Sequence, residues 1–171
     1  KDLEEAGQIH QIVDDSGLYR TELNEFAGRN NITWLGFKGV SMFSSTVSDG
    51  LDNLIGNLGM FAAVNKFSYE GSTKVADAML GVKYLISDVQ EENIRDFMYF
   101  DQFGDQYLYV NPHAMPIGFM VSSDYQNWNT ESSYPWEVLN DFARKAAGID
   151  EDIYVQESLD TVPAASGGTC T

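Results

Sequence analysis

The most distinctive chemistry in this sequence is a short segment that combines aromatic rings with amide and carboxylate side chains. Residues 122–138 read SSDYQNWNTESSYPWEV, and their rings are Tyr125, Trp128, Tyr134 and Trp136. Aromatic rings can pack against the apolar face of a pyranose while nearby polar groups bond its hydroxyls. The segment therefore predicts a carbohydrate-binding surface. The alternative is that these rings, with their large apolar area, pack the start of a helix onto a sheet.

Two cations are candidates for a phosphate contact or an ion pair. Lys83 lies in the apolar run VKYLI and points away from the strand face of Tyr84, so its amine can pair with a carboxylate or reach a phosphate. Arg20 and Glu22 fall on the same side of a predicted strand. An ion pair with neighbours is the first interpretation of Arg20, and polymer binding is the alternative.

The residues that other kinds of active site require are missing or scattered. No GxGxxG or GxxxxGK[ST] loop is present, and His10 and His113 lie in separate elements without an HExxH or triad grouping. Cys170 is the single cysteine, which excludes a thiolate metal cage and an intrachain disulfide. Carboxylate pairs are too numerous among 26 acids to identify a glycosidase pair. The sequence thus indicates no catalytic residue, metal site or cofactor in this domain.

Composition and charge narrow the class of protein. The 171 residues suit one domain, and a 43% hydrophobic share supplies a core. A net charge of -16 repels phosphate backbones, so we expect no nucleic-acid partner. We expect a single domain over residues 1–155 and a disordered tail over residues 156–171, which are rich in Pro, Gly and Ser near the end. From the charged start KDLEEAGQIH we expect no signal peptide, and no apolar run approaches the ~20 residues that span a bilayer.

Hydrophobic periodicity predicts the elements that position these candidates. Helices are expected over residues 2–14, from residues 46–49 to Gly59, over residues 75–80 up to Gly81, and from Pro135 to Gly148. Strands are expected over residues 18–23, 37–44, 82–86, 97–100, 107–110 and 117–121.

The helix that ends at Gly81 is followed directly by a strand. Its apolar residues Val75, Met79 and Leu80 recur at helical spacing. After Gly81 the apolar spacing is that of a strand, with Leu85 pointing to the opposite face. We expect the helix and the other apolar strand residues (Val82, Tyr84 and Ile86) to face one core, and Leu85 to face a second buried layer.

The order of elements predicts an α+β fold with a mixed central sheet and flanking helices. A three-layer α/β arrangement is the alternative, because strands near residues 40 and 84 could pair in parallel across two intervening helices.

Several motifs resemble those of a known protein family, both in their residues and in their order along the chain. These are YEGST at residues 69–73, ADAMLGVKYLIS at 76–87 and YLYVNPHAMPIGFMV at 107–121, flanked by YRTE at 19–22, SMFSST at 41–46 and PWEVLNDFARKAAG at 135–148. Together they resemble the YfhO family of bacterial membrane proteins over most of residues 18–150.

The resemblance implies a function that the residues alone do not. Members of this family resemble GT-C glycosyltransferases, polytopic membrane proteins that transfer sugar from a polyprenyl-phosphate donor to cell-envelope polymers such as the teichoic acids of Gram-positive bacteria. The chain would then be an extracytoplasmic domain at the cell membrane. Its partners would be the membrane-spanning part of the same polypeptide and a cell-envelope glycan or polyprenyl-phosphate sugar.

The resemblance supplies no catalytic residue. The catalytic acid of GT-C enzymes is expected in a loop near the membrane spans, and no part of this chain matches that loop. We therefore expect the isolated domain to lack activity. The alternative is a noncatalytic carbohydrate-binding or assembly module of the cell surface.

Overall fold

A computed structural model describes residues 8–9, 13, 16–25, 28, 30–92 and 94–157. Most of the helix predicted over residues 2–14 lies outside the described residues, although residues 8 and 9 are helical and the Val13 N–H donates to the Ile9 carbonyl. The predicted disordered tail lies outside them from residue 158 onward.

The described part of the chain contains both strands and helices. In order, they are β1 (Arg20–Leu23), α1 (Asn31–Trp34), β2 (Met42–Phe43), α2 (Asp49–Asn57), β3 (Phe61–Ala63), β4 (Lys66–Ser68), α3 (Lys74–Met79), β5 (Val82–Ser87), β6 (Met98–Phe103), β7 (Gln106–Val110), a 3₁₀ helix (Ser123–Asn127) and α4 (Pro135–Ala147).

The strands form a central sheet of four strands in the order β1-β5-β7-β6 and a smaller sheet in the order β2-β4-β3. In the central sheet β1 pairs with β5 in parallel, whereas β5, β7 and β6 pair antiparallel. The short β6–β7 connection suits an antiparallel hairpin. The α+β class with a mixed central sheet is therefore confirmed.

The helices begin and end at residue types that favour helix ends. The Ser48 hydroxyl accepts from the Leu51 N–H at the start of α2, and the Thr73 hydroxyl accepts from the Ala76 N–H at the start of α3. Pro135 occupies the first turn of α4, and Gly148 ends that helix in the left-handed conformation.

The central sheet is buried on both sides. In one core cluster, residues of α2, α4 and the small sheet pack with Leu85 of β5 and Tyr109 of β7. A second cluster packs Ile9, Ile32 and Phe37 against the opposite side of the sheet. Burial on both faces explains why β5 is almost continuously apolar.

The helix-to-strand unit around Gly81 is confirmed in part. Helix α3 and strand β5 join there as predicted, but β5 does not face a single core. Val82 lies with Leu85 in the first cluster, whereas Tyr84 and Ile86 belong to the second. Leu80 is only half-buried, so it contributes less to the core than its spacing suggested.

The strand predicted over residues 37–44 is wrong except at β2. The Val40 and Ser41 N–H groups donate to the Glu22 side chain, and the Phe37 N–H donates to the Ile32 carbonyl. These bonds use the donors that a strand would offer to a neighbour. Within this segment, Met42 and Phe43 form a strand that pairs antiparallel with β4 in the small sheet.

The alternative arrangement and one further expectation are wrong. The segment near residue 40 does not pair with residue 84, because β5 lies between β1 and β7 in the central sheet. Residues 117–121 form no strand: they run between two helix ends, where the Met115 N–H donates to the Ala78 carbonyl and the Ser122 N–H donates to the Ala146 carbonyl.

The hairpin of β3 and β4 was not predicted. Its two-residue turn contains Asn65 at φ 61°, a conformation that Asn tolerates better than most residues. The Asn65 N–H also donates to the Asp52 carboxylate at 3.0 Å, which ties the turn to α2.

We predict that Gly81→Val destabilises the fold. Gly81 has φ +65°, and a Cβ there would lie 2.9 Å from the Met115 carbonyl oxygen. The free energy of unfolding, measured by chemical denaturation, should fall by about 1 to 3 kcal/mol. Gly50→Ala is the matched control, because no atom lies within 4 Å of a Cβ at this helical position. It should leave stability equal or higher. Equal stability for the Gly81 variant would contradict the close approach seen here.

Candidate functional site

The four rings of residues 122–138 form two pairs. In the first pair, the rings of Tyr125 and Trp128 lie 5.5 Å apart, and that of Trp128 lies 5.3 Å from Phe142 of α4. The Trp128 Nε1 donates to the Val138 carbonyl at 2.9 Å. Trp128 is therefore half-buried and anchors the 3₁₀ helix to α4, while Tyr125 covers it with 37% of its surface exposed.

The second pair lies on the surface at the start of α4. The centroids of Tyr134 and Trp136 are 4.8 Å apart with an angle of 33° between the planes. Tyr134 is 53% exposed and Trp136 is 37% exposed. This pair presents aromatic surface to solvent in the way that a sugar-stacking platform requires.

Polar side chains lie in the same segment as this exposed pair. The Ser132 hydroxyl donates to the Glu137 carboxylate at 2.6 Å, and the Asn129 side chain accepts from the Glu131 N–H. The Asn57 side chain of α2 donates to the Thr130 carbonyl at 2.5 Å, which fixes the segment against the body of the domain. Carboxylate and amide groups within the same segment as exposed rings are suited to bond sugar hydroxyls.

Lys83 lies in the wall of a groove with a volume of about 400 Å³. Its Nζ is 5.5 Å from the ring centroids of both Tyr19 and Tyr84, within the range of a cation–π contact. The rest of the groove comes from residues 17–18, 110–112 and 114–116, which are mostly apolar.

Arg20 has a structural contact. Its guanidinium donates to the Leu80 carbonyl at the end of α3. Burial lowers the pKa of Arg20, and the charge of Glu22 opposes that shift. The side chain thus holds the end of α3 against the start of β1.

The structural role of Glu22 was not predicted from the sequence, which placed it only on the same side of a strand as Arg20. Glu22 is 2% exposed. Its Oε1 accepts from the Val40 N–H and, at 2.8 Å, from the Ser41 N–H, and its Oε2 accepts from the Ser41 hydroxyl at 3.2 Å. The Ser41 hydroxyl also accepts from the Tyr69 N–H at 3.0 Å, just past β4. A buried carboxylate therefore links the two sheets.

Gly39 allows the chain to approach Glu22 this closely. A Cβ at Gly39 would lie 2.4 Å from the Ile32 side chain and 2.7 Å from the Glu22 carboxylate. Burial raises the pKa of Glu22, and the hydrogen bonds from Ser41 and Val40 oppose that rise. Two features of the sequence could have indicated this contact: a single carboxylate inside a predicted strand, and the segment KGVS at residues 38–41.

A second buried carboxylate ties α3 to the turn before β6. Asp77 is fully buried, and it accepts from the Ser72 hydroxyl at 2.6 Å and from the Arg95 Nε at 3.1 Å. Arg95 also donates to the Tyr69 hydroxyl at 2.9 Å, while burial raises the pKa of Tyr69. These contacts complete the buried network and give it a structural role.

The remaining candidates for active-site chemistry are the two histidines and possible metal ligands. His113 is exposed in a turn, where its N–H donates to the Asn111 side chain, and His10 lies outside the described residues. Within residues 8–157, as far as they are described, no group of three His, Cys, Asp or Glu side chains is placed to hold a metal ion.

Comparison with known proteins gives one match. The model of a family described as bacterial membrane protein YfhO matches residues 1–166. No curated protein and no solved structure matches. Among the helices formed by the described residues, none has the length and apolar character needed to cross a membrane.

We predict that Glu22→Ala and Glu22→Gln separate the hydrogen-bonding role of this side chain from its charge. Glu22→Ala removes the acceptor of two backbone N–H groups and should lower the free energy of unfolding by about 2 to 4 kcal/mol. Glu22→Gln keeps an acceptor and should stay within about 1 kcal/mol of the parent near neutral pH. Denaturation curves of the three proteins measure both effects. An equal loss in both variants would contradict the hydrogen-bonding role.

The parent protein and Glu22→Gln should also differ in how their stability depends on pH. Because burial raises the pKa of Glu22, the native state holds a proton over a range where the unfolded state has lost it. That contribution is fully present below the unfolded pKa of about 4.3 and is lost as the pH rises through the folded pKa. The stability of Glu22→Gln minus that of the parent should therefore grow with pH over this range. A difference that stays constant or shrinks would contradict the direction of the shift.

Proposed function

Because the chain belongs to the YfhO family of bacterial membrane proteins, we propose that it is the extracytoplasmic domain of a polytopic glycosyltransferase. The parent transfers sugar from a polyprenyl-phosphate donor to a cell-envelope polymer such as teichoic acid. In this proposal the present domain holds the acceptor glycan beside the membrane, and the chemistry takes place elsewhere in the same polypeptide. The family membership supports the membrane context.

The observation that carries the glycan-holding role is the exposed pair of Tyr134 and Trp136. Two rings 4.8 Å apart at the start of a helix remain substantially exposed, although packing them inward would gain free energy. Helix α4 itself is well anchored, because Val138 and Leu139 are buried in the core. A rigid helix start therefore holds the two rings in place, which lowers the entropic cost of binding a ligand.

The charge of the domain favours some glycans over others. A net charge of -16 opposes polymers rich in phosphate unless cations screen them. The polar and aromatic side chains of residues 129–137 are uncharged, apart from the carboxylates of Glu131 and Glu137. We therefore expect the domain to contact the sugar units of the acceptor and not its phosphates.

A second candidate function is a noncatalytic carbohydrate-binding or assembly module. The same exposed pair favours it, and the two functions differ in whether the parent transfers sugar. Purified full-length parent in membranes, supplied with a polyprenyl-phosphate sugar and an acceptor polymer, distinguishes them.

We predict that the 171-residue chain alone transfers no sugar. With a radiolabelled polyprenyl-phosphate sugar and acceptor polymer, product should form with the membrane-embedded parent and not with the chain. The parent is the positive control for donor and acceptor quality. Product formed by the chain alone would overturn the division of labour proposed here.

We predict that glycan binding is read by Trp136. Cell-wall glycan or teichoic acid fragments at millimolar concentration should change tryptophan fluorescence, and Trp136→Ala should weaken binding roughly tenfold through loss of ring stacking. Trp34→Ala is the matched control, since Trp34 is 86% exposed on α1. Equal titrations for the two variants, or no response in the unsubstituted chain, would count against the role of the pair.

A further inference from the structure

A polar groove with a volume of about 520 Å³ lies between helix α2 and strand β3, and we call it the α2 groove. Its lining residues on α2 recur at the spacing of one helix face and are Asp49, Asp52, Asn53, Gly56 and Asn57. The other wall consists of residues 62–64, which are small or apolar. A helix face that packs on a sheet is normally apolar. The polar face of α2 therefore lines an open groove, while its apolar side enters the core.

Asp52 is the buried carboxylate of the α2 groove. The residue is 9% exposed. Its Oδ2 accepts from the Asn65 N–H at 3.0 Å, whereas its Oδ1 is buried and has no hydrogen-bond partner among the described residues. One neutral donor does not balance a buried negative charge. The groove therefore suits a ligand that brings a further donor.

The charges of the α2 groove favour a cationic donor. Asp49 supplies a second, exposed carboxylate, and none of the described residues that line the groove is Lys or Arg. Lys66 of the neighbouring strand β4 is not among the lining residues. The described residues place no third carboxylate or histidine there to complete a metal site. An ammonium group fits this site, because it has three donors and bonds carboxylates more strongly than a neutral donor does.

The α2 groove adjoins the segment that carries the exposed rings. Asn57, which lines the groove, donates to the Thr130 carbonyl. A Cβ at Gly59, just past the end of α2, would lie 3.2 Å from the Pro135 side chain. Pro135 stands between the two residues of the ring pair. A glycan of several units that stacks on the rings therefore has the groove beside it.

We propose that the α2 groove binds a sugar unit with a free amino group. The carboxylates of Asp49 and Asp52 hold its ammonium, and the amide groups of Asn53 and Asn57 bond its hydroxyls. N-acetylation removes the positive charge and adds bulk, so the groove selects the unacetylated amino sugar. The proposal rests on the glycan-holding role proposed above and specifies one kind of sugar in that glycan.

Calorimetric titration of the chain with two tetrasaccharides tests the proposal. One is built from glucosamine and the other from N-acetylglucosamine, so they differ in the charge on nitrogen. Asp49→Asn, Asp52→Asn and Asn53→Lys alter the groove. Asp150→Asn is the matched control, because it lies on an exposed residue beyond α4 and makes the net charge less negative by one unit, as each groove substitution does. Asn53→Lys changes an exposed helix position, which keeps the test available if Asp52→Asn fails to fold in denaturation experiments.

We expect the glucosamine tetrasaccharide to bind the unsubstituted chain about tenfold more tightly than the acetylated one. Asp52→Asn and Asn53→Lys should each weaken its binding about fivefold and Asp49→Asn about threefold, while Asp150→Asn leaves it unchanged. No binding of the glucosamine tetrasaccharide, equal affinities for the two tetrasaccharides, or equal effects of the groove and control substitutions would overturn the proposal.

Trp136→Ala separates this proposal from the role of the ring pair. Weaker binding of both tetrasaccharides by Trp136→Ala, with no effect of the groove substitutions, would overturn the amino-sugar site and keep the ring pair. Weaker binding of the glucosamine tetrasaccharide by the groove variants alone would keep the amino-sugar site and count against the ring pair.

Discussion

The fold depends on the carboxylate of Glu22, which is buried at the junction of the two sheets. Without it, the N–H groups of Val40 and Ser41 would be left inside the protein without an acceptor. Through the Ser41 hydroxyl, the same carboxylate reaches the Tyr69 N–H and hence the small sheet. Burying a charge is unfavourable, and the donors from residues 40–41 offset that cost. The path of residues 37–41 is thereby set by one side chain of β1.

How far the fold follows from sequence depends on the range of the interactions involved. Helices α2, α3 and α4 and strands β1, β5 and β7 were predicted because capping residues, glycines and apolar spacing act within a few positions. The segment at 37–44 was misread because its donors bond Glu22, which is distant in sequence. The exposed state of Trp136 and the half-buried state of Trp128 were equally beyond reach, since composition alone does not tell which ring of a segment meets Phe142.

The candidate sites lie on surfaces that the buried network holds in place. Asp77 and Arg95 fix α3 against the turn before β6, and Arg20 fixes the end of α3 against β1. Lys83 and the groove follow directly after that helix end. The exposed pair of Tyr134 and Trp136 stands on α4, whose inner face is packed on the central sheet. A rigid element thus carries the proposed glycan contact, as precise recognition requires.

The central claim is that this domain holds the acceptor while the chemistry occurs elsewhere in the parent. Steady-state kinetics of the membrane-embedded parent carrying Tyr134→Ala together with Trp136→Ala test it most directly. Loss of binding that is equal in the ground and transition states raises KM for the acceptor and leaves kcat unchanged. The account predicts this result, with KM for the polyprenyl-phosphate donor also unchanged. A fall in kcat at unchanged acceptor KM would place the pair in the chemical step and contradict the account.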